Sequence, residues 1–192
     1  MDNPLIRYLL LLRAIPEADQ AIIINAFEKK SFKEGKYLLQ SNHISRQLFF
    51  ICKGVLRIVV RNDKGVEVTH YFLKENQFCT ILNSFTKEVV AEEGIQAACD
   101  AEVLVISKTR LLELYRQLPY LQVLIDQIIQ QGLLDKIRIR NAYLGQDSAS
   151  RYQLFLARQP EIAHRVSLGD IASYLGITPQ SLSRIRRKPR HS

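Results

Sequence analysis

The sequence has few of the residues that build disulfide frameworks or metal centres. Its 192 residues include three cysteines, Cys52, Cys79 and Cys99. They are odd in number, lie far apart and form no CxxC pair, so neither a disulfide framework nor a zinc site is expected. No two of the four histidines share a short motif, which argues against a cupin-like metalloenzyme. We therefore expect a protein that is not an enzyme and that has no cofactor.

Long apolar segments are also missing from the sequence. No run of about 18 apolar residues occurs, so no transmembrane helix and no membrane partner are expected. The N-terminal stretch MDNPLIRYLLLLRAIPEAD lacks the basic start and the small-residue cleavage site of a signal peptide. These observations predict a cytoplasmic location.

Positive charge is abundant and unevenly distributed. The chain carries a net charge of +8, and residues 148–192 hold eight basic residues against two acidic ones. Residues 1–147 hold the other 19 basic and 17 acidic residues, so they are almost neutral. A basic terminal module on a near-neutral body favours a polyanionic partner, most often nucleic acid. A basic segment that is merely solvated is the alternative.

The middle of the chain has the texture of an all-β domain. From Phe32 to Ser107, short runs rich in Val, Ile, Phe and Tyr are separated by glycine or polar turns, which predicts a sandwich or a barrel. The segment Arg61-Asn62-Asp63-Lys64-Gly65 is typical of a hairpin turn.

Helical periodicity replaces the β pattern after Ser107. A short helix is predicted over Lys108 to Gln117, and a second from Pro119 to about Leu144, which would be about 39 Å long. The apolar stripe of this long helix is wide enough to cover the β domain and also a second copy of the chain; packing within one monomer is the alternative. The residues predicted for the dimer interface are Leu121, Ile125, Ile128 and Ile137.

The C-terminal segment has the pattern of a helix-turn-helix unit. Ser167 can cap one helix with Asp170 three residues later, in a variant of the capping box. A small residue, Ala172, then precedes the turn residue Gly176 by four positions, and apolar Leu182 follows in the next helix. We place the domain boundaries at 1–118 for the β domain with its N-terminal helices, 119–145 for the long helix and 146–192 for the helix-turn-helix domain.

One side of the last helix carries polar and basic groups that can read base edges in a major groove or meet phosphates. Because successive residues are about 100° apart, Gln180, Ser181 and Arg184 share a face opposite the buried side. The predicted DNA-binding set is Ser167, Thr178, Gln180, Ser181, Arg184, Arg187 and Lys188. A surface helical hairpin with solvated basic residues is the alternative.

These parts together resemble the Crp/Fnr superfamily of bacterial transcription regulators. The resemblance rests on Gly35, on "FFICKGVLRIV" with Gly54, on "DKGVEVTHYFLKENQF", and on "RYQLFLARQPEIAHRVSLGDIASYLGITPQSLSRIRRK", which is similar to the Bacteroidetes-type branch. It implies an α+β fold: an N-terminal jelly-roll β-roll like a cyclic nucleotide-binding domain, a long dimerisation helix and a C-terminal helix-turn-helix domain. It also implies a homodimer on two-fold symmetric double-stranded DNA, with RNA polymerase as a further candidate partner.

The sequence departs from the cyclic-AMP-binding members of that superfamily. Where they carry a Gly-Glu pair and, further on, an arginine, this chain has Thr80 and Ile81 and, later, Glu92 and Glu93. We therefore expect that cyclic AMP is not the effector and that this degenerate cassette leaves the ligand unknown. Two alternatives stay open: a sensor of cyclic nucleotides or another small ligand with a secondary DNA-binding role, and a regulator with no small ligand.

Overall fold

The structure is a computed structural model that describes residues 3–187. Two helices, α1 (Pro4–Leu12) and α2 (Glu17–Ala26), precede the β domain. The side chain of Asn3 caps α1 by accepting hydrogen bonds from the backbone amides of the helix's first turn.

The β domain consists of two four-stranded antiparallel sheets. One sheet has the strand order β1-β8-β3-β6 and the other the order β2-β7-β4-β5. Apolar residues from both sheets meet in one cluster between them, as in a jelly roll. The strands are β1 (Glu28–Phe32), β2 (Tyr37–Leu39), β3 (Gln47–Lys53), β4 (Leu56–Arg61), β5 (Glu67–Leu73), β6 (Phe78–Cys79), β7 (Gly94–Ala97) and β8 (Ala101–Ser107).

The β-roll begins four residues earlier than the sequence pattern predicts. Strand β1 has the sequence EKKSF and lies at the edge of its sheet, where it pairs only with β8. Its outward charges, including the ion pair between Lys29 and Glu102 at 2.6 Å, conceal the alternation that identifies a strand. The predicted start at Phe32 is therefore wrong.

A short helix, α3 (Leu82–Lys87), interrupts the second half of the roll, and α4 (Lys108–Gln117) and α5 (Pro119–Tyr143) follow it. Helix α4 has the predicted bounds, and the hydroxyl of Ser107 caps it by accepting from the amide of Arg110. Helix α5 is 25 residues long and ends within one residue of the predicted limit. Its first half packs with α1 and α2 on the outside of the roll.

Four helices form the C-terminal helical module: α6 (Ser148–Arg158), α7 (Pro160–Ala163), α8 (Leu168–Leu175) and α9 (Pro179–Arg187). The buried apolar residues of this module belong to one cluster that also includes Val55, Phe72 and Ala98 of the roll. The module therefore packs directly on the outer face of the β-roll. The mixed α+β fold class predicted from the sequence is confirmed.

Candidate functional site

The turn between α8 and α9 is built by local hydrogen bonds that only a left-handed residue permits. Gly176 has φ +67°, and its amide donates to the carbonyl of Ser173 while the amide of Ile177 donates to that of Ala172 at 3.0 Å. This is a Schellman motif. Ala172 and Leu182 are both fully buried, so α9 is fixed close against α8.

The outer face of α9 is exposed and basic. Gln180, Arg184 and Arg187 are exposed, and they line one shallow depression together with Ser183. Sequence reasoning missed Ser183, although its spacing of three residues from Gln180 and four from Arg187 puts it on the same helix face. The face therefore presents an amide, a hydroxyl and two guanidinium groups.

The other predicted DNA-binding residues serve partly as helix caps. Ser167 is exposed and caps α8, since its hydroxyl accepts from the amide of Asp170 at 3.1 Å. Thr178 is exposed and caps α9, accepting from the amide of Ser181 at 3.1 Å. The hydroxyl of Ser181 is hydrogen-bonded to that of Thr178 at 3.0 Å, so it is less available than its position suggests. Lys188 lies outside the described residues.

An ion pair joins α8 to the β-roll and replaces half of the predicted capping box. The carboxylate of Asp170 pairs with the guanidinium of Arg57 on β4, and both side chains are more than four-fifths buried. Arg57 also donates to Gln96 at 2.7 Å and to Thr69 at 2.9 Å. Asp170 therefore holds the helical module on the roll.

A second ion pair also joins the helical module to the roll, just after the end of β5. Both terminal nitrogens of Arg165 donate to Glu75, at 2.9 and 2.6 Å, and Glu75 also accepts from the amide of Gly54 at 2.6 Å. Burial alone would raise the pKa of Glu75, but the hydrogen bonds from Arg165 and Gly54 lower it below its usual value. The carboxylate thus stays ionised and the contact weakens only in acid, when Glu75 takes up a proton.

Aromatic side chains fill the space beside these pairs. The ring of Tyr174 on α8 lies 5.1 Å from that of Phe72 on β5 and 5.9 Å from that of Tyr143 near the end of α5. The hydroxyl of Ser173 accepts from the amide of Thr69 at 2.8 Å. Helix α8 is therefore in contact with both the roll and the long helix, and its position determines that of α9.

Helix α5 has an exposed seam on the side away from the roll. Residues three and four apart along this seam are all exposed in the single chain, and they follow the heptad spacing of a coiled coil. Three of them are large and apolar, with exposed fractions from 49% at Leu134 to 57% at Val123. The seam consists of Val123, Gln127, Gln130, Leu134, Ile137 and Asn141, and the exposed Leu144 follows directly after the last residue of α5.

Three of the four residues predicted for a dimer interface lie on other faces of α5. Leu121 and Ile125 are 0% and 1% exposed because they pack against α1, α2 and α4, so assigning them to an interface was wrong. Ile128 is half-buried and faces a cavity of the roll, which also removes it from the seam. Ile137 is 53% exposed on the seam, and its role in a dimer interface stays a prediction.

That cavity lies between the roll and α5 and has a volume of about 310 Å³. Twelve of its twenty-one lining residues are aliphatic, aromatic or cysteine. Burial raises the pKa of the Cys79 thiol to about 12, so this residue adds neutral surface to the wall. The charged lining residues are Glu93, Asp135 and Lys136.

Comparison with known proteins finds one family model that is similar to the roll. The sequence model of the cyclic nucleotide-binding domain matches residues 29–118. The match covers the β-roll and α4, 90 of the 192 residues. No curated protein matches the sequence significantly.

Several solved structures resemble most of this chain, and they include two that are described as regulators. The c-di-GMP responsive global regulator CLP from Xanthomonas campestris has a TM-score of 0.70 and 17% identity, over 88% of this chain and 89% of its own. A protein described as a Crp/Fnr-family transcriptional regulator from Eubacterium rectale has 0.71 and 18%, over 94% and 86%.

CooA from Carboxydothermus hydrogenoformans has a TM-score of 0.67 and 16% identity, over 97% of this chain and 84% of its own. At such identities the likeness concerns the fold. The resemblance to the Crp/Fnr superfamily inferred from the sequence is confirmed at the level of the fold, and CLP and the Eubacterium rectale protein are described as regulators.

The cassette of the cyclic nucleotide-binding domain holds few groups that could take a phosphate. The hydroxyl of Thr80 donates to the carbonyl of Gln47 at 2.9 Å, and Ile81 is 5% exposed. Glu93 lines the cavity, whereas Glu92 is exposed and does not. The residues of the described chain that line this cavity include one cation, Lys136, which comes from α5 and was missed because the sequence does not show which face of that helix meets the roll.

Among the helices of residues 3–187, none combines the length and hydropathy needed to span a bilayer. Within the same residues, no group of three or more His, Cys, Asp or Glu side chains is arranged to hold a metal ion.

Proposed function

We propose that this chain is a sequence-specific DNA-binding transcription regulator of the Crp/Fnr type that acts as a homodimer. The exposed face of α9, with Gln180, Ser183, Arg184 and Arg187, carries the proposal. Amide and guanidinium groups on a rigid helix are the groups that read base edges in a major groove. Such a protein acts where the DNA is, in the cytoplasm, and contact with RNA polymerase stays a prediction.

The N-terminal caps of α8 and α9 support the same reading. Ser167 and Thr178 are exposed at the starts of the two helices. Helix N-termini carry partial positive charge and free amides, so both ends suit contacts with the phosphates that flank a groove. Helix α8 would then lie across the backbone while α9 enters the groove, the docking geometry of a helix-turn-helix.

The seam of α5 supports the homodimer. Six exposed residues of α5 at heptad spacing, three of them large and apolar, would bury their apolar surface against a second copy. Asn141 at such a core position favours two parallel strands in one register. A parallel pair places the two α9 helices on one side of the dimer, as a two-fold symmetric operator requires.

Binding-site selection followed by equilibrium titration tests the DNA-binding function. Replacing Arg184 with Ala should weaken binding to the selected operator by about 1–3 kcal/mol and relax the preference at particular base pairs. Arg187→Ala should weaken selected and random duplexes alike and reduce the salt dependence. Arg116→Ala, at an exposed site on α4, is the matched control and should bind like the wild type. Equal affinity of the wild-type protein for random and selected duplexes would refute the proposal.

Isothermal titration with cyclic AMP and cyclic GMP tests whether the cavity takes the family's usual ligand. A buried cyclic phosphate needs a cation or several oriented donors. Ile81 cannot accept a hydrogen bond from a ribose hydroxyl, and Lys87, a conceivable substitute cation, is exposed at the end of α3 and does not line the cavity. The loss of two charge-assisted hydrogen bonds should weaken binding by about 3–6 kcal/mol. Micromolar binding that also raises operator affinity would contradict this expectation.

A further inference from the structure

The cavity of the cyclic nucleotide-binding domain has one end with two opposite charges that do not pair. Lys136 and Glu93 both line it, yet neither forms an ion pair with any residue in the described part of the chain. Lys136 is half-buried, with its ammonium 5.4 Å from the centre of the Tyr71 ring. Burial lowers the pKa of Lys136, and the nearby carboxylate of Glu93 offsets part of that shift. Neither charge has an oppositely charged group at ion-pair distance, so a ligand that pairs with both would offset the cost of burying them.

The third charged residue of the wall is already compensated. The carboxylate of Asp135 accepts from Gln131 at 3.0 Å and from Arg138 at 3.2 Å. It therefore requires no charge from a ligand. A simple anion at Lys136 would leave Glu93 unpaired and close to a like charge, whereas a zwitterion would satisfy both groups.

A glycine on the same wall leaves room for an apolar side chain. Gly132 lies in the middle of α5, where glycine is less stable than alanine. An added Cβ would meet no atom within 4 Å, so neither backbone conformation nor packing requires glycine there. Gly132 is one helical turn, about 6 Å, from Lys136 on the same face. The space above it is bordered by the apolar wall, including Phe78 and Ile129.

We propose that this cavity binds an α-amino acid with a large apolar side chain. The carboxylate lies at Lys136, the ammonium lies at Glu93, and the side chain occupies the space over Gly132. The amino acid is the effector of the DNA-binding regulator, a role that rests on the proposed function, whereas the binding itself does not.

Thermal shift and isothermal titration of the full-length protein test the binding without DNA. L-Leucine or L-phenylalanine should stabilise the wild type. Leucinamide, which lacks the carboxylate, and 4-methylpentanoate, which lacks the ammonium, should each bind roughly tenfold to a hundredfold more weakly. Equal binding of 4-methylpentanoate would overturn the role of Glu93 and with it the zwitterion.

Variants separate ligand binding from simple damage to the fold. Lys136→Gln and Glu93→Gln should each weaken leucine binding roughly tenfold to a hundredfold, and Lys87→Gln, an exposed lysine outside the cavity, should not. Gly132→Leu should raise the melting temperature of the ligand-free protein, because leucine favours the helix and fills the cavity, and should abolish the leucine shift. If Lys136→Gln and Glu93→Gln lower the stability of the ligand-free protein while no amino acid shifts the wild type, the two groups pair with each other and the proposal is wrong.

A second titration separates this inference from the proposed function. Leucine should change operator affinity in the wild type but not in Gly132→Leu. Binding of leucine by a protein that binds no DNA would refute the regulator and support the site. Operator binding by a protein that binds no amino acid would support the regulator and refute the site.

Discussion

A charged residue at position 137 is expected to convert the protein into a monomer that binds its operator weakly. In Ile137→Glu, the two glutamates would face each other across a parallel coiled coil, so an apolar contact becomes a like-charge contact. The second half-site then no longer benefits from linkage to the first, and operator affinity should fall by about a hundredfold to ten-thousandfold. Sedimentation at micromolar concentration measures the mass, and titration with a two-half-site operator measures the affinity.

Leu112→Glu is the matched control for this prediction. Leu112 is an exposed leucine of α4, 46% accessible, and it lies outside the seam of α5. The control should remain dimeric with unchanged affinity. A wild-type protein that sediments as a monomer and yet binds the full operator tightly would show that α5 does not mediate dimerisation.

The order of elements could be predicted because strands and helices have different periods. The runs from β2 to β5 and from β7 to β8 are rich in branched and aromatic residues, so period and composition agree. The bounds of α4 followed from a serine cap and a proline two residues past its end. Strand β1 was not predicted because it is recognised only by its pairing with β8. Its charged outer face shows no apolar alternation in the sequence.

The faces of α5 could not be assigned from the sequence. Its apolar residues surround much of the helix. Some of them pack against the N-terminal helices and the roll, and others form the exposed seam. Leu121 and Ile137 look alike as sequence positions, but only the packed chain shows that the first is fully buried and the second half exposed. Lys136 was overlooked for the same reason, since its place on the cavity wall depends on the rotation of α5.

Contacts between segments that are far apart in the chain could not be predicted from the sequence either. Asp170 has the spacing of a capping residue, and Ser167 does cap α8, but the carboxylate pairs with Arg57, which is 113 residues earlier in the chain. A local rule thus gave the correct helix start and the wrong use of the acid. The exposed polar and basic face of α9 could be predicted because it depends on one helix alone.

Removing the guanidinium of Arg57 is expected to release the helical module from the roll. In Arg57→Ala, Asp170 loses its ion partner in a largely buried setting, and Gln96 and Thr69 lose a donor. Leaving such a carboxylate unpaired should lower the free energy of unfolding by about 3 kcal/mol, which is a fall of about 6–12 °C in melting temperature for a chain of this size. Thermal and urea unfolding measure the change, and Arg61→Ala, an exposed arginine on the same strand, is the matched control.

A double-mutant cycle with Asp170→Ala assigns the effect to the pair. The double mutant should lose less stability than the sum of the two single losses, by more than about 0.5 kcal/mol, because the residues are in direct contact. Additive losses would mean that Arg57 acts through the roll alone, and that the docked position of α8 has another origin.

Arg57→Ala also tests whether docking of the helical module on the roll affects operator recognition. Helix α9 is held to α8 by the turn at Gly176 and by buried Leu182, so both helices move together when α8 leaves the roll. A docked pair of modules presents its two α9 helices at one separation, which should select operators whose half-sites lie about 10 base pairs apart. In Arg57→Ala that selection should broaden across a series of operator spacings, while each half-site keeps its preferred bases. An unchanged spacing preference together with the expected loss of stability would show that the roll supports the module without orienting it.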